Sequence, residues 1–258
     1  MPMRPAMRFL ASAVIAATLC AGLAAQAAGF SCRETPIVQS RALLTPLSEK
    51  VAQGRPLAIL AIGSSSTEGV GASTKDRTYP ARLQALLAKA WPKSRTEIVN
   101  AGIGGETAPQ TLVRLETALI ERRFDLVIWQ VGTNDAVKGG DLDSFRDMLG
   151  EGIRLAKRAN TPIAILDPQF FPAVRNPEIY RRFVTAVADV ARREVVPVFT
   201  RYATMREWHD SDAEAFKSAL WTDGFHMSDA GYDCLARDMA AALVEMATPG
   251  RPVMAEAR

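Results

Sequence analysis

The feature that most constrains this chain is an alternation between two kinds of apolar pattern. Short runs rich in aliphatic and β-branched residues occupy 57–62, 97–99, 126–131, 163–166 and 195–199, and longer stretches with helical spacing separate them. The runs show no polar alternation, which suits strands buried on both faces. Between them, Phe145, Leu149, Ile153 and Ala156 recur one helical turn apart, as do Ile179, Phe183, Ala186 and Val190. A last helix, capped by Ser228, is expected to bury Leu235, Met239, Leu243 and Met246. Strand followed by helix, repeated five times, predicts a three-layer α/β/α sandwich around a five-stranded parallel sheet. With 258 residues, the chain suits one such domain, placed at 56–248.

Ahead of that domain the sequence changes character. Arg4 and Arg8 precede an uncharged apolar stretch from Phe9 to Ala25, and Ala25-Gln26-Ala27 follows with the small-x-small pattern of a signal-peptidase site. Residues 1–27 are therefore expected to be an export signal, leading to a periplasmic or secreted protein. The stretch is short for a membrane span, and Leu19 stands before Cys20 where a lipoprotein signal needs a small residue. The mature chain then keeps two cysteines, Cys32 and Cys234, which in an oxidising compartment either pair or remain separate thiols. Residues 28–55 read as an extension with a short helix, taking Thr45 as N-cap, Pro46 in the first turn and Gly54 beyond the end. Residues 249–258 read as a loose tail.

Charge excludes some functions. Of 31 basic residues, Arg4 and Arg8 leave with the signal, so 29 remain against 28 acidic ones. Such a balance calls for neither nucleic acid nor an anionic membrane surface. The pairs Arg122-Arg123, Arg181-Arg182 and Arg192-Arg193 fall on predicted helices as solvated faces. The two histidines lie apart and no cysteine pair has ligand spacing, so no metal is expected.

In a parallel sheet of this kind, ligands bind at the carboxyl ends of the strands. Glycine-rich, hydrogen-bonding segments stand at three of those ends: 63–71, 100–107 and 132–135. In Asp223-Gly224-Phe225-His226 the acid is three residues before the imidazole. It can accept the Nδ1 proton and leave Nε2 free as a base. His209, in Arg206-Glu207-Trp208-His209, has no such partner. For a nucleophile, the first strand runs into Gly63-Ser64-Ser65-Ser66-Thr67-Glu68-Gly69, where composition does not choose among the three serines.

These blocks resemble those of the SGNH or GDSL hydrolase family. The segment 63–69 is similar to that family's Gly-Asp-Ser-Leu-Thr-x-Gly, with Gly63, Thr67 and Gly69 setting a register that places Ser65 as nucleophile. Asn100-Ala101-Gly102-Ile103-Gly104-Gly105-Glu106-Thr107 resembles the second block, Gly132-Thr133-Asn134-Asp135 the third, and Asp223 with His226 the closing block. The resemblance covers about Leu57 to Ala247 and implies a flavodoxin-like SGNH hydrolase fold. It also implies a Ser65, His226, Asp223 triad and an oxyanion hole from the Ser65 and Gly105 amides and the Asn134 side chain. Ser64 replaces the family's usual aspartate, and Met227 a proline that often follows the histidine.

The implied chemistry is cofactor-free hydrolysis of a small acyl ester through an acyl-enzyme. A nucleotide-binding protein is disfavoured because neither glycine-rich run has a phosphate-loop ending or dinucleotide spacing. An α/β-hydrolase is disfavoured for want of a Gly-x-Ser-x-Gly elbow. A binding module would have lost a triad position, and none is lost. Simple or aryl esters, acetylated sugars, thioesters and lysophospholipids all remain open as substrates. The loop 168–177, carrying Phe170, Phe171 and Arg175, is the expected pocket wall. Trp129 is expected in the core, and Trp208 and Trp221 flank the last loop.

Overall fold

The computed structural model describes residues 30, 32, 38–39 and 44–247. The export signal and the tail anticipated above lie outside the described residues. Six strands form one sheet: β1 (Val38–Gln39), β2 (Leu57–Gly63), β3 (Thr96–Gly102), β4 (Leu126–Gln130), β5 (Ile163–Leu166) and β6 (Val198–Phe199). Their spatial order is β1-β6-β5-β4-β2-β3. β2 to β6 are all parallel to their neighbours, and β1 adds a two-residue antiparallel edge to β6. Counting only the parallel strands, this is the flavodoxin-like order 2-1-3-4-5. The chain leaves β2 for β3 on one side and later returns to β4 on the other, so a crevice opens between the carboxyl ends of β2 and β4.

The helices are α1 (Thr45–Ala52), α2 (Ser65–Glu68), α3 (Tyr79–Ala90), α4 (Ala108–Glu121), α5 (Thr133–Val137), α6 (Leu142–Arg158), α7 (Pro177–Arg193), α8 (Arg201–Ser211), α9 (Ala213–Phe216) and α10 (Asp229–Ala247). Alternate residues of each strand feed two cores. Leu57, Ile59, Leu126, Ile128, Ala164 and Leu166 pack with residues of α1, α3, α8 and α10. Leu60, Ile62, Val127, Trp129, Ile163 and Ile165 pack with α4, α6 and α7. The period of two along each strand thus builds the three layers.

Cys32 and Cys234 form a disulfide with Cα atoms 5.3 Å apart, pinning the N-terminal extension to α10 across 202 positions of sequence. No helix among the described residues is long and apolar enough to cross a membrane.

The elements differ from the expected ones at several points, beginning with β3, which runs Thr96–Gly102 rather than 97–99 and, as an edge strand, is only partly buried. The N-cap of α1 is Leu44, whose carbonyl accepts from the Ser48 amide at 2.9 Å, so Thr45 is the first helical residue. Ile179 is 42% exposed because Tyr180 takes the inward position in the first turn of α7. Val195 does not begin a strand. It lies just past α7 at φ +51°, with its amide on the Arg192 carbonyl and the next amide on that of Ala191. This is a Schellman termination with a β-branched residue in the left-handed position.

Candidate active site

Three loops and one short segment meet at the crevice. At the end of β2, Ser64 is extended and Ser65 opens the single turn of α2, which Gly69 closes at φ +105°. The Ser64 carbonyl accepts from the amides of Thr67 and Glu68, both at 2.9 Å. Gln130, the last residue of β4, reaches under this turn. Its Oε1 accepts from the Ser64 amide at 2.8 Å and the Ser64 hydroxyl at 3.0 Å. A side-chain amide from the neighbouring strand therefore braces the turn that lacks the family's aspartate. The brace is buried, where a satisfied hydrogen bond is strongly preferred to none.

Asp223 and His226 occupy the loop before α10. An isolated bridge between Leu220 and Met227 closes its base, and the Trp221 amide donates to the His226 carbonyl at 2.7 Å. Met227, where the family often has proline, is buried in that bridge. Asp223 divides its carboxylate between two tasks. Oδ1 accepts from the amides of Phe225 and His226, both at 2.9 Å, and Oδ2 meets Nδ1 of His226 at 2.6 Å. On the far side of the ring, Nε2 lies 2.8 Å from the Ser65 hydroxyl. With Nδ1–H donating to Asp223, Nε2 is the bare nitrogen and accepts from Ser65. Partial burial opposes ionisation of Asp223, but the hydrogen bonds from the His226 ring and from the two amides outweigh it. The carboxyl is held below its usual range. The edge of the Phe225 ring meets the imidazole at 4.7 Å between centroids.

The second loop leaves β3 at Gly102, where a Cβ would fall 1.9 Å from the Glu68 amide nitrogen. Glycine there lets the end of β3 press against the backbone of α2. Gly105 adopts φ +77°, and only Lys138 Nζ, at 3.8 Å, comes near the place a side chain would occupy. The left-handed backbone favours glycine, although there is room for a side chain. The loop is held from several directions. Lys138 Nζ donates to the Gly105 carbonyl at 2.6 Å, and Asn134 Nδ2 to the Glu106 carbonyl at 2.8 Å. The Glu106 carboxylate pairs with Arg114, whose Nη1 also donates to the Ala101 carbonyl at 2.8 Å. Among the described residues, no hydrogen bond takes up the amide of Ser65 or of Gly105. The Asn134 amide nitrogen makes one hydrogen bond among the described residues, to the Glu106 carbonyl.

Asp135, next to Asn134, donates no proton to this rim. Its Oδ1 accepts from the Ala108 amide at 2.8 Å, tying the third loop to the start of α4. Burial pushes its carboxyl above the usual range, and the hydrogen bonds from the Ala108, Asp135 and Gly132 amides offset that only in part.

The residues expected to wall the pocket diverge. Phe171 is buried, stacks edge-on against Phe225 at 4.7 Å, and so backs the ring that meets His226. Phe170 packs against the opposite core, with its ring near those of Phe216, His209 and Tyr202. Arg175 is exposed and joins no ion pair among the described residues. His209 lies on α8 with Nδ1 3.1 Å from Asp210, remote in role from the Ser65 cluster. Trp129 is fully buried and donates to Thr111 Oγ1 at 3.0 Å, Trp208 is buried, and Trp221 is 45% exposed. Sequence reasoning passed over Gln130, Lys138 and the Arg114–Glu106 pair. Only Gln130 left a trace, as a lone amide finishing an otherwise apolar strand. No group of three or more metal-ligating side chains occurs among the described residues.

The sheet order and the loops at its carboxyl edge define an SGNH-type hydrolase fold. The chain belongs to the Non-GDSL lipase-like family, whose model matches residues 31–249. It is 29% identical over 143 residues to Esterase TesA of Pseudomonas aeruginosa, covering 55% of this chain and 70% of that protein. It is 31% identical over 102 residues to Thioesterase 1/protease 1/lysophospholipase L1 of Escherichia coli K12, covering 40% of this chain and 46% of that one. Among solved structures it is similar to a two-domain esterase active on acetylated mannans, with a TM-score of 0.68 and 19% identity. That match covers 83% of this chain and 56% of the other. At that identity the structural match speaks for the fold alone.

Proposed function

We propose that this protein is an exported serine ester hydrolase in which Ser65 attacks an acyl ester, His226 moves the proton and Asp223 orients the ring. One observation carries the reading: a continuous relay from Asp223 Oδ2 to Nδ1 at 2.6 Å, and from Nε2 to the Ser65 hydroxyl at 2.8 Å. In the first half-reaction the Ser65 oxygen adds to the ester carbonyl as its proton passes to Nε2. The imidazolium then returns that proton to the departing alkoxide, leaving an acyl-Ser65. In the second half a water gives its proton to Nε2, attacks the acyl carbon, and Ser65 leaves as the hydroxyl. Asp223 stays ionised throughout and stabilises the imidazolium.

Negative charge on the carbonyl oxygen is met by the Ser65 and Gly105 amides and the Asn134 Nδ2 group. One such donor is worth about 3–4 kcal/mol of transition-state stabilisation. Lys138 and Asn134 hold the Gly105 and Glu106 carbonyls, so the peptides of that loop do not have to reorganise as charge develops. Ile103, exposed on the loop that carries Gly105, Val137, exposed at the end of α5, and the exposed Trp221 offer apolar contact for acyl or leaving group. The named relatives act as esterases or thioesterases, which agrees with an acyl substrate. Export is supported by the Arg4–Ala27 pattern and by the disulfide, a bond that persists in oxidising compartments.

The test is a panel of p-nitrophenyl esters of increasing acyl length, with a thioester and an acetylated sugar, run on the mature protein beside Ser65→Ala. Turnover of at least one class, lost in Ser65→Ala, is expected. Equal turnover by both proteins would overturn the reading.

A further inference from the structure

Gln169 hydrogen-bonds to none of the three triad side chains, yet it bonds to chain neighbours of Ser65, His226 and Asn134. It follows β5 at the same edge of the sheet and is completely buried. Its Oε1 accepts from the hydroxyl of Ser66, next to Ser65, at 2.8 Å. Its Nε2 donates to the carbonyl of Phe225, next to His226, at 2.7 Å. Its backbone amide donates to Thr133 Oγ1, next to Asn134, at 3.3 Å, and its carbonyl accepts from the Tyr180 hydroxyl at 2.6 Å. The orientation of the side-chain amide is dictated by its partners. The Phe225 carbonyl has no proton to give, so Nε2 must face it, and Oε1 is left for Ser66.

We infer that Gln169 is a positioning residue that sets the distance between Ser65 and His226. The two halves of the relay come from segments 161 positions apart in sequence; the Ser65–His226 bond links them at the site, and Ser73 to Asp229 and Tyr232 to the Val70 carbonyl tie their flanks. During turnover the Ser65–His226 bond breaks whenever Ser65 is acylated. A short, buried, two-ended amide keeps the segments in register through that interval. This role rests on the esterase reading and adds to it a residue that the family motifs do not contain.

Gln169→Glu separates positioning from mere packing. As a neutral acid, the new carboxyl accepts from Ser66 and donates its O–H to the Phe225 carbonyl, so both bonds survive. Once ionised it has no donor, and oxygen faces oxygen. Burial raises the pKa of such a group. The kcat of Gln169→Glu relative to wild type is therefore expected to climb at least about fivefold as pH falls from about 8 to about 5.5, across the raised range of a buried acid. Gln169→Ala, which loses both side-chain bonds, should lose about 10- to 100-fold in kcat, equivalent to about 1.4–2.7 kcal/mol at 1.36 kcal/mol per tenfold, with KM within about threefold. The rate at which a fluorophosphonate modifies Ser65 should fall in parallel, which gives a readout independent of ester choice. Both variants are assayed well below their melting temperatures, and Gln169→Glu carries the test if Gln169→Ala does not fold. A pH-independent ratio for Gln169→Glu, or Gln169→Ala reacting within about twofold of wild type, overturns the inference. A wild type that neither hydrolyses esters nor reacts with the probe overturns the esterase reading and this one with it.

Discussion

Asp223→Asn is the substitution whose effect the geometry defines most closely. Asparagine is nearly isosteric, and the amides of Phe225 and His226 need an acceptor where Oδ1 now stands. The asparagine carbonyl takes that place and its NH2 is turned toward Nδ1. A ring nitrogen facing N–H must accept, so the imidazole proton moves to Nε2, where the Ser65 hydroxyl needs a base. The loop keeps its shape while the relay runs in the wrong direction. An equivalent tautomer error in other triads costs about 10⁴ in kcat, or about 5.4 kcal/mol at 1.36 kcal/mol per tenfold. Here the Asp223 side chain is 32% exposed, so water can partly substitute for it. The expected loss is therefore about 10³- to 10⁴-fold in kcat, with the melting temperature nearly unchanged. The assay is steady-state hydrolysis of a p-nitrophenyl ester, with burst-phase titration to count competent sites. A folded Asp223→Asn protein with kcat within about tenfold of wild type would refute the claim that Asp223 sets the tautomer.

Three further outcomes follow from local physics. Because burial raises the Asp135 pKa, its contribution to stability is greatest below the ordinary carboxyl range and is lost as pH rises through the raised value. Asp135→Asn keeps the acceptor for the Ala108 amide, so its melting temperature relative to wild type should increase between about pH 4 and pH 8; a constant difference contradicts this. Val195→Gly should stabilise by about 0.5–1 kcal/mol in urea unfolding, since glycine carries no penalty in the left-handed position; a loss of stability there contradicts it. Cys32→Ser, or reduction of the wild type, should cost about 3–5 kcal/mol by releasing a constraint across 202 positions. An unchanged denaturation midpoint after reduction would show that the link carries no stability.

The parallel sheet was legible because strands buried on two faces must be continuously apolar, and the inward stripe of α6 because Phe145, Leu149, Ile153 and Ala156 keep strict helical spacing. Boundaries were less legible. A β-branched apolar residue such as Val195 reads as strand, yet a helix terminus puts it in a conformation it disfavours. The two-residue edge strand β1 is too short to leave a pattern. At the site, Asp223 and His226 were visible because their relation is local, three residues along one loop. The choice of Ser65 among three serines came from resemblance and not from composition. Gln130 left only the trace of an amide ending an apolar run, and Lys138 and Gln169 were not visible at all. Their partners are distant in sequence, and nothing local distinguishes a buried amide bracing a turn from an exposed one in a loop. Phe170 and Phe171 illustrate the same limit, since adjacent rings in one loop point into opposite cores.

The most direct measurement is the mass-spectrometric location of a fluorophosphonate adduct on the mature protein. A single adduct is expected on Ser65, absent from Ser65→Ala and from protein unfolded beforehand. An adduct on Ser64 or Ser66, or an unlabelled wild type that still hydrolyses esters, would contradict the assignment of Ser65 as the attacking group.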